Sequence, residues 1–351
     1  MNIVSYKLSS LKLSLKKPFV TSLRRVEYID DIVLELFTDD KLVGYGAAAP
    51  TVAITGESKV DIIETIEKII LPKILNKKLD VSLLDEVKES CEKHTSAKAC
   101  VDIALHDLLA KEAKLPLYRY LGGKNKILKT CVTISLGEID EMLVQSKNAY
   151  NDGFTQLKVK LGNDVKHSIS VVKKIHEELP KAELLLDANQ AWSFESAKDI
   201  LQALKNIPIS LVEQPLSKDE ITNMKKIKNL DLFSILADES VFDTSDAKKL
   251  LETDSCDMIN IKLMKCGGLG EAKKIADFAN KYGKTLMLGS MLENPISIAA
   301  AAHFALSVDN IAYLDLDSPI LAISNPIQYS LRYKKEIISL AEEFGLGITE
   351  I

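Results

Sequence analysis

Five polar residues recur along the middle of this chain at almost constant spacing: Lys160, Asp187, Glu213, Asp238 and Lys262, separated by 27, 26, 25 and 24 residues. Each ends a short run rich in leucine or β-branched residues, and each run is followed by an amphipathic stretch. Such a step holds one strand, one helix and two short loops, the βα unit of a parallel sheet. Extending the series in both directions gives eight runs, at residues 130–136, 155–160, 183–187, 209–213, 234–238, 257–262, 285–289 and 311–315. Eight parallel strands with crossover helices close into a barrel. The intervening helices are legible: residues 168–179 carry Ile169, Val172, Ile175 and Leu179 at helical spacing, and 196–204 carry Ala197, Ile200, Leu201 and Leu204.

The first 125 residues break this rhythm. Strands are expected at 2–15 and 29–37, the second turning through Thr38-Asp39-Asp40-Lys41 into a third at 42–48. Helices are expected at 57–76, 80–93 and 96–113. The last of these, SAKACVDIALHDLLAKEA, is rich in small residues, as a helix packed tightly between two layers would be. This predicts an α+β domain at 1–125, a barrel at 126–319, and a tail at 320–351 folding back on the first domain.

Composition narrows the partners. A formal net charge of -5, with lysines scattered among acids, offers no basic face for nucleic acid. Five cysteines without C-x-x-C spacing read as reduced thiols in a cytoplasmic protein without structural zinc. No signal peptide is apparent at the N-terminus, and the richest apolar stretch, 296–308, is too short for a bilayer and contains His303. No membrane association is expected.

In parallel barrels the strand C-termini form the active face. Three carboxylates there, Asp187, Glu213 and Asp238, would repel one another unless a cation stood between them, and oxygen-only ligands favour a hard ion such as magnesium, one per subunit. Any one acid alone reads better as a helix cap or a lysine partner. Three at the same point of the repeat make that reading poor. Asn189 and Glu239 are expected to support the ligands.

Lys158 and Lys160, one residue apart on a strand, face the same side. Lys262 stands four strands away, opposite Lys160 across the ring. Burial beside a cation is expected to lower the lysine pKa toward that of a base. Two opposed bases can remove a proton from one face of a carbon beside a carboxylate and return it from the other, through an enediolate whose charge the metal would stabilise. Thr133 and Ser135 on the first strand, and Ser290, Met291 and Glu293 after the seventh, are further candidates for contact with substrate. Asp315 and Asp317, ending the eighth run, would face one way and hold a cation. The five histidines lie mainly on expected helices and read as structural.

Taken together, the LKVK pair (157–160), the acids ending strands three to five, NIKLMKCGG (260–268) and DIALHDLLAKEAKLPLYRYLGG resemble the enolase superfamily, in its muconate lactonizing enzyme subgroup. The resemblance covers essentially the whole chain. It implies an α/β fold, a modified TIM barrel (β/α)7β, under an α+β capping domain built from the N-terminal part and the C-terminal tail. The D-x-D of YLDLDSP is similar to that of dipeptide epimerases, where the pair binds the substrate α-ammonium. That implies two-base epimerisation of a dipeptide such as L-Ala-D/L-Glu, peptidoglycan peptide recycling, and a possible homo-oligomer. Arg24, in TSLRRVEY, coincides with the position from which some members hold a glutamate side chain, and Arg25 is its neighbour. Rival readings are o-succinylbenzoate synthase, N-succinyl amino acid racemase or cycloisomerase chemistry, and a non-catalytic barrel that only binds.

Overall fold

The computed structural model describes residues 1–329 and 331–350. The chain opens with an antiparallel sheet of β1 (Ile3–Val20), β2 (Arg25–Thr38) and β3 (Val43–Ala48), in that order. β1 runs five residues past its expected end. The extension KKPFV lacks strand periodicity, but pairing with β2 carries it, with a register shift between Ser14 and Phe19. Pro18 is tolerated there because β1 is an edge strand. This long hairpin arm reaches the barrel, where Leu136 N–H donates to Val20 O at 3.0 Å.

The helix expected at 57–76 forms at residues 59–74 with a π-helical turn, Ile66–Ile70, inside it. Pro72 has no N–H to return to the preceding turn, and the wider turn lies just ahead of it. The next helix, Ser82–Lys88, is shorter than its expected span. Helix Thr95–Glu112 is buried from Ser96 to Ala110, and its first turn is capped by the Glu57 carboxylate, which accepts from Ser96 N at 2.8 Å and Ala97 N at 3.1 Å.

A short strand β4 (Leu128–Lys129) precedes the barrel. The barrel strands are β5 (Val132–Ile134), β6 (Gln156–Lys160), β7 (Glu183–Asp187), β8 (Ile209–Glu213), β9 (Ile235–Ala237), β10 (Met258–Ile261), β11 (Thr285–Gly289) and β12 (Ile311–Asp315). They pair in parallel in sequence order. The ring closes where Thr130 bridges Leu314 and Cys131 N donates to Leu314 O at 2.8 Å. Four of the eight strands have the expected bounds, and the others are shorter, the first most of all.

Leu157 and Val159 point out to the helices, packing with Val172, Ile175 and Ile200. Inside the ring, Cys131, Leu185, Leu211, Leu236, Met258 and Met287 pack together and plug it. The plug separates the polar groups of the C-terminal strand ends from a second polar cluster at the N-terminal ends, where Gln156, Ser210 and Tyr313 donate to Glu183. After β12 only a single turn, Ser318–Leu321, follows in place of a regular helix.

The tail then forms β13 (Gln328–Tyr329), β14 (Arg332–Lys334), β15 (Ile337–Ser339) and β16 (Ile348–Glu350). β15 pairs with β4 and β14, and β13 with β16. The tail also returns to the first domain: Leu346 N donates to the buried Asp107 carboxylate at 2.7 Å and Tyr118 OH to Glu342 at 2.6 Å. No described helix is long and apolar enough to cross a membrane.

Candidate active site

Strand register assembles the site. Lys160 pairs with Asp187 and Asp187 with Glu213, so three charged residues stand side by side at one level. Glu213 pairs with Leu236, which leaves Asp238 two residues further along, just past the end of β9. The acids and lysines are all buried: Asp187 and Glu213 are 0% exposed and Lys158 is 0% exposed.

Ammonium groups bridge the carboxylates. Lys160 Nζ lies 2.6 Å from Asp187 Oδ2, and Lys262 Nζ lies 2.6 Å from Asp238 Oδ2. Lys158 Nζ touches Asp187 Oδ2 at 3.2 Å, Glu213 Oε2 at 2.8 Å and Asp315 Oδ2 at 2.7 Å. Polar neighbours fix the ligands further. Asn189 takes a left-handed backbone (φ 43°), which turns its N–H back onto Asp187 Oδ1 at 2.9 Å. The Gln214 side-chain oxygen accepts from Asp238 N at 2.9 Å. Asn189 Nδ2 donates to Glu239 Oε1 at 3.2 Å.

Charges do not balance among these groups. Six buried carboxyl groups (Asp187, Glu213, Asp238, Glu239, Asp315, Asp317) face four buried lysines (158, 160, 262, 265), a formal surplus of two acids that raised pKa values partly relieve. Burial, then Asp187, pushes the Glu213 carboxyl up to about 8, and burial, then Asp238, pushes Glu239 up to about 7. Asp187 goes the other way, to about 2: burial raises it, but Lys160 and Lys158 more than offset that. Among the described residues no three acidic, imidazole or thiol groups stand in the spacing of a formed metal site, because lysines are interposed. The donor set nevertheless fits one hard divalent ion: it is all oxygen, and the buried Glu213 Oε2 and Asp238 Oδ1 of the set, with Asn189 Oδ1 and Glu239 Oε2 beside it, have no hydrogen-bond partner.

The expected lowering of the lysine pKa presupposes the cation; the chain's own groups alone act the other way. Burial pulls the Lys262 ammonium down, but Asp238 and Glu213 more than reverse it and hold it above its ordinary range. Lys158 is held well above its ordinary value in the same way, chiefly by Asp315 and Glu213 against burial. The acids outnumber the lysines, and among the chain's own groups their attraction outweighs desolvation.

Over this layer lies a small cavity. The barrel contributes Thr133, Lys160, Asn189, Lys262, Ser290 and Met291, with Asp315 and Asp317 beside them. The β1–β2 hairpin covers it with Phe19, Thr21, Leu23 and Arg24. Arg24 is turned inward, and among the described residues its guanidinium makes no ion pair; Arg25 is exposed, 3.6 Å from Glu27. Asp317 lies two residues past the strand and does not cap the following helical turn with its side chain. Its Oδ2 accepts from Thr133 N at 2.6 Å, and burial, then Asp315, pushes it up to about 7.

Several candidates stand elsewhere. Ser135 is outside the cavity, because β5 ends at Ile134 and strand alternation no longer sets its direction; its Oγ accepts from Val20 N at 3.4 Å. Glu293 is buried in its own loop, accepting from Met291 N at 2.7 Å, so it shapes the loop without lining the cavity. Lys158 and Glu239 lie beneath the floor and are not part of the lining. Sequence reasoning passed over Asn260 and Lys265. Asn260 Nδ2 donates to Glu213 Oε1 at 2.8 Å, and Lys265 Nζ lies 2.6 Å from Asp238 Oδ1. The signal for Asn260 was available, since N-x-K at 260–262 has the same period as K-x-K at 158–160.

Residues 5–122 match the model of the mandelate racemase / muconate lactonizing enzyme N-terminal domain, and residues 141–350 that of the enolase C-terminal domain-like family. An L-amino acid-D/L-Glu epimerase of Sulfurimonas denitrificans is 44% identical over 92% of this chain and 94% of that protein. The structure of a substrate-liganded complex of the L-Ala-D/L-Glu epimerase from Bacillus subtilis has a TM-score of 0.98 at 36% identity, covering 100% of this chain and 99% of that one. A dipeptide epimerase from Enterococcus faecalis complexed with Mg and L-Leu-L-Tyr has a TM-score of 0.96 at 35% identity, covering 100% of both chains. With both domains matched and an eight-stranded barrel under an antiparallel cap, the chain belongs to the enolase superfamily, in the mandelate racemase / muconate lactonizing enzyme family.

Proposed function

We propose that this chain is a magnesium-dependent dipeptide epimerase that inverts the α-carbon of the C-terminal residue, with L-Ala-D/L-Glu the preferred substrate. The observation that carries this is one cavity lined by Lys160 and Lys262 from strands half a ring apart and by Asp315 and Asp317 at its side. Asp187, Glu213 and Asp238 would hold the magnesium, which when bound supplies positive charge to the substrate carboxylate as the α-proton leaves.

The chain's own groups do the rest. Asp317, oriented by Thr133 N–H, and Asp315 receive the α-ammonium. Arg24, inward and unpaired among the described residues, faces an acidic side chain. One of the two lysines takes the α-proton and the other returns one to the opposite face. Lys158 adds a buried positive charge beneath the enediolate. In this division residues 1–125 with 320–351 read the side chains and 126–319 perform the chemistry. The cellular role we assign is recycling of peptidoglycan peptides in the cytoplasm, by a chain that could work as a homo-oligomer. Succinylated or lactone substrates lack the ammonium that the D-x-D would hold, which disfavours the other reactions of the subgroup.

The test is a dipeptide library in deuterated water with magnesium, read by mass spectrometry. Deuterium should enter the α-carbon of the C-terminal residue, fastest for L-Ala-L-Glu. Absence of exchange from every dipeptide would sink the reading.

A further inference from the structure

The three strand-end carboxylates share one pattern. Each has an outer oxygen held by a dedicated partner: Asp187 Oδ1 by a hydrogen bond from Asn189 N at 2.9 Å, Glu213 Oε1 by one from Asn260 Nδ2 at 2.8 Å, and Asp238 Oδ1 by an ion pair with Lys265 Nζ at 2.6 Å. Each turns its other oxygen inward, where the charged neighbours are lysines: Lys160 and Lys158 at Asp187 Oδ2, Lys158 at Glu213 Oε2, and Lys262 at Asp238 Oδ2. A carboxylate free to rotate would offer either oxygen. These three are held so that only one of each faces the centre.

Lys265 is the unusual partner. It is fully buried, and it sits on the single helical turn Leu263–Cys266 that follows Lys262. Its ammonium donates to two backbone carbonyls, Asp238 O and Asn260 O at 3.1 Å, and forms an ion pair with Asp238 Oδ1. The cavity lining does not include it, so its contacts are with the chain itself. Asn260, whose carbonyl Lys265 holds, passes the brace on to Glu213 through its side chain. One network therefore ties together the ends of β8, β9 and β10.

We propose that Asn260 and Lys265 are positioning residues for the divalent cation: they preset Glu213 and Asp238 so that one oxygen of each is presented to it. The proposal rests on the assignment of the metal to Asp187, Glu213 and Asp238 above. Fixing a ligand before the ion arrives removes an ordering cost from binding, and loss of such outer partners weakens metal affinity by roughly 10–100-fold.

The experiment is titration of the purified, metal-stripped chain with manganese ion alone, followed by electron paramagnetic resonance, without substrate. Asn260→Leu and Lys265→Met should each bind manganese about tenfold or more weakly while keeping the wild-type circular dichroism. Asp107→Asn serves as a control. That acid is equally buried but lies in the N-terminal domain, where it accepts from Tyr45 N and Leu346 N, so its loss should lower the melting temperature and leave manganese affinity unchanged. Should Lys265→Met fail to fold, Asn260→Leu decides alone. Wild-type affinity in a folded Asn260→Leu variant overturns the proposal, whereas a wild-type chain that takes up no manganese overturns the metal assignment on which it stands.

Discussion

Lys160 and Lys262 approach the cavity from β6 and from the end of β10, four strands apart in a ring of eight, so each can reach only one face of a carbon held between them. Replacing either by alanine removes the base for one face and leaves the other intact. Both variants should therefore lose epimerisation by roughly 10²–10⁴-fold. Each should still exchange the α-proton of one enantiomer with deuterated water, and the two variants should choose opposite enantiomers. NMR of L-Ala-L-Glu and L-Ala-D-Glu in deuterated water reads this directly; full epimerisation by either variant would remove the two-base assignment. These residues were legible because a parallel barrel brings every C-terminal strand end to one mouth, whatever the helices between do. Lys265 was not, because it lies on a helical turn where strand phase carries no information. Ser135 stands outside the cavity for the converse reason, since the strand whose phase would aim it inward ends at Ile134.

At the level of elements, the contact between β3 and helix Thr95–Glu112 shows how much a composition signal can specify. A helix full of Ala and Ser admits a close neighbour, and the neighbour here is a strand with glycine at the points of contact. A Cβ built on Gly46 would stand 1.9 Å from the Cys100 carbonyl oxygen, and one on Gly44 would stand 2.5 Å from Ala104 O. Both obstacles are backbone and cannot rotate away. Gly46→Ala should thus destabilise the chain by about 1–3 kcal/mol or more, as overpacking does. Gly162→Ala, which meets only the Leu136 side chain at 3.3 Å, should cost much less. Thermal melts of the two variants compare them, and equal melting temperatures would show that the layers can separate at no cost. The helix was readable for its small residues. The π-turn at Ile66–Ile70 and the extension of β1 to Val20 were not: the first lies against Pro72, and the second is carried by pairing of Phe19 and Val20 with Val26 and Arg25 of β2, neither of which apolar periodicity encodes.

Over the whole molecule, cap, barrel and tail meet at one buried histidine. His303, on the barrel helix Pro295–Leu306, accepts from Tyr118 N at 3.1 Å and stacks on the Tyr118 ring at 5.9 Å between centroids. Tyr118 belongs to the turn Leu117–Tyr120, whose Leu117 N–H donates to Gly345 O of the tail at 2.8 Å. Burial pushes the imidazole down to about 3, so in the folded chain it is neutral and can serve as an acceptor. The unfolded chain keeps a histidine near its ordinary pKa of about 6.5. Below that pH the unfolded state takes up a proton that the folded state refuses until about pH 3, so the stability due to this group is full above pH 6.5 and falls with acidification. The slope is about 1.4 kcal/mol per pH unit, or about 2 kcal/mol between pH 7 and pH 5. His303→Asn keeps an acceptor for Tyr118 N but cannot be protonated in this range. It should lower stability somewhat at pH 7, where its packing is poorer, and flatten the fall toward pH 5 by about that 2 kcal/mol. Denaturant unfolding of both chains at the two pH values measures the difference, and an identical acid slope in the variant would mean that the junction of the three parts admits a proton without opening.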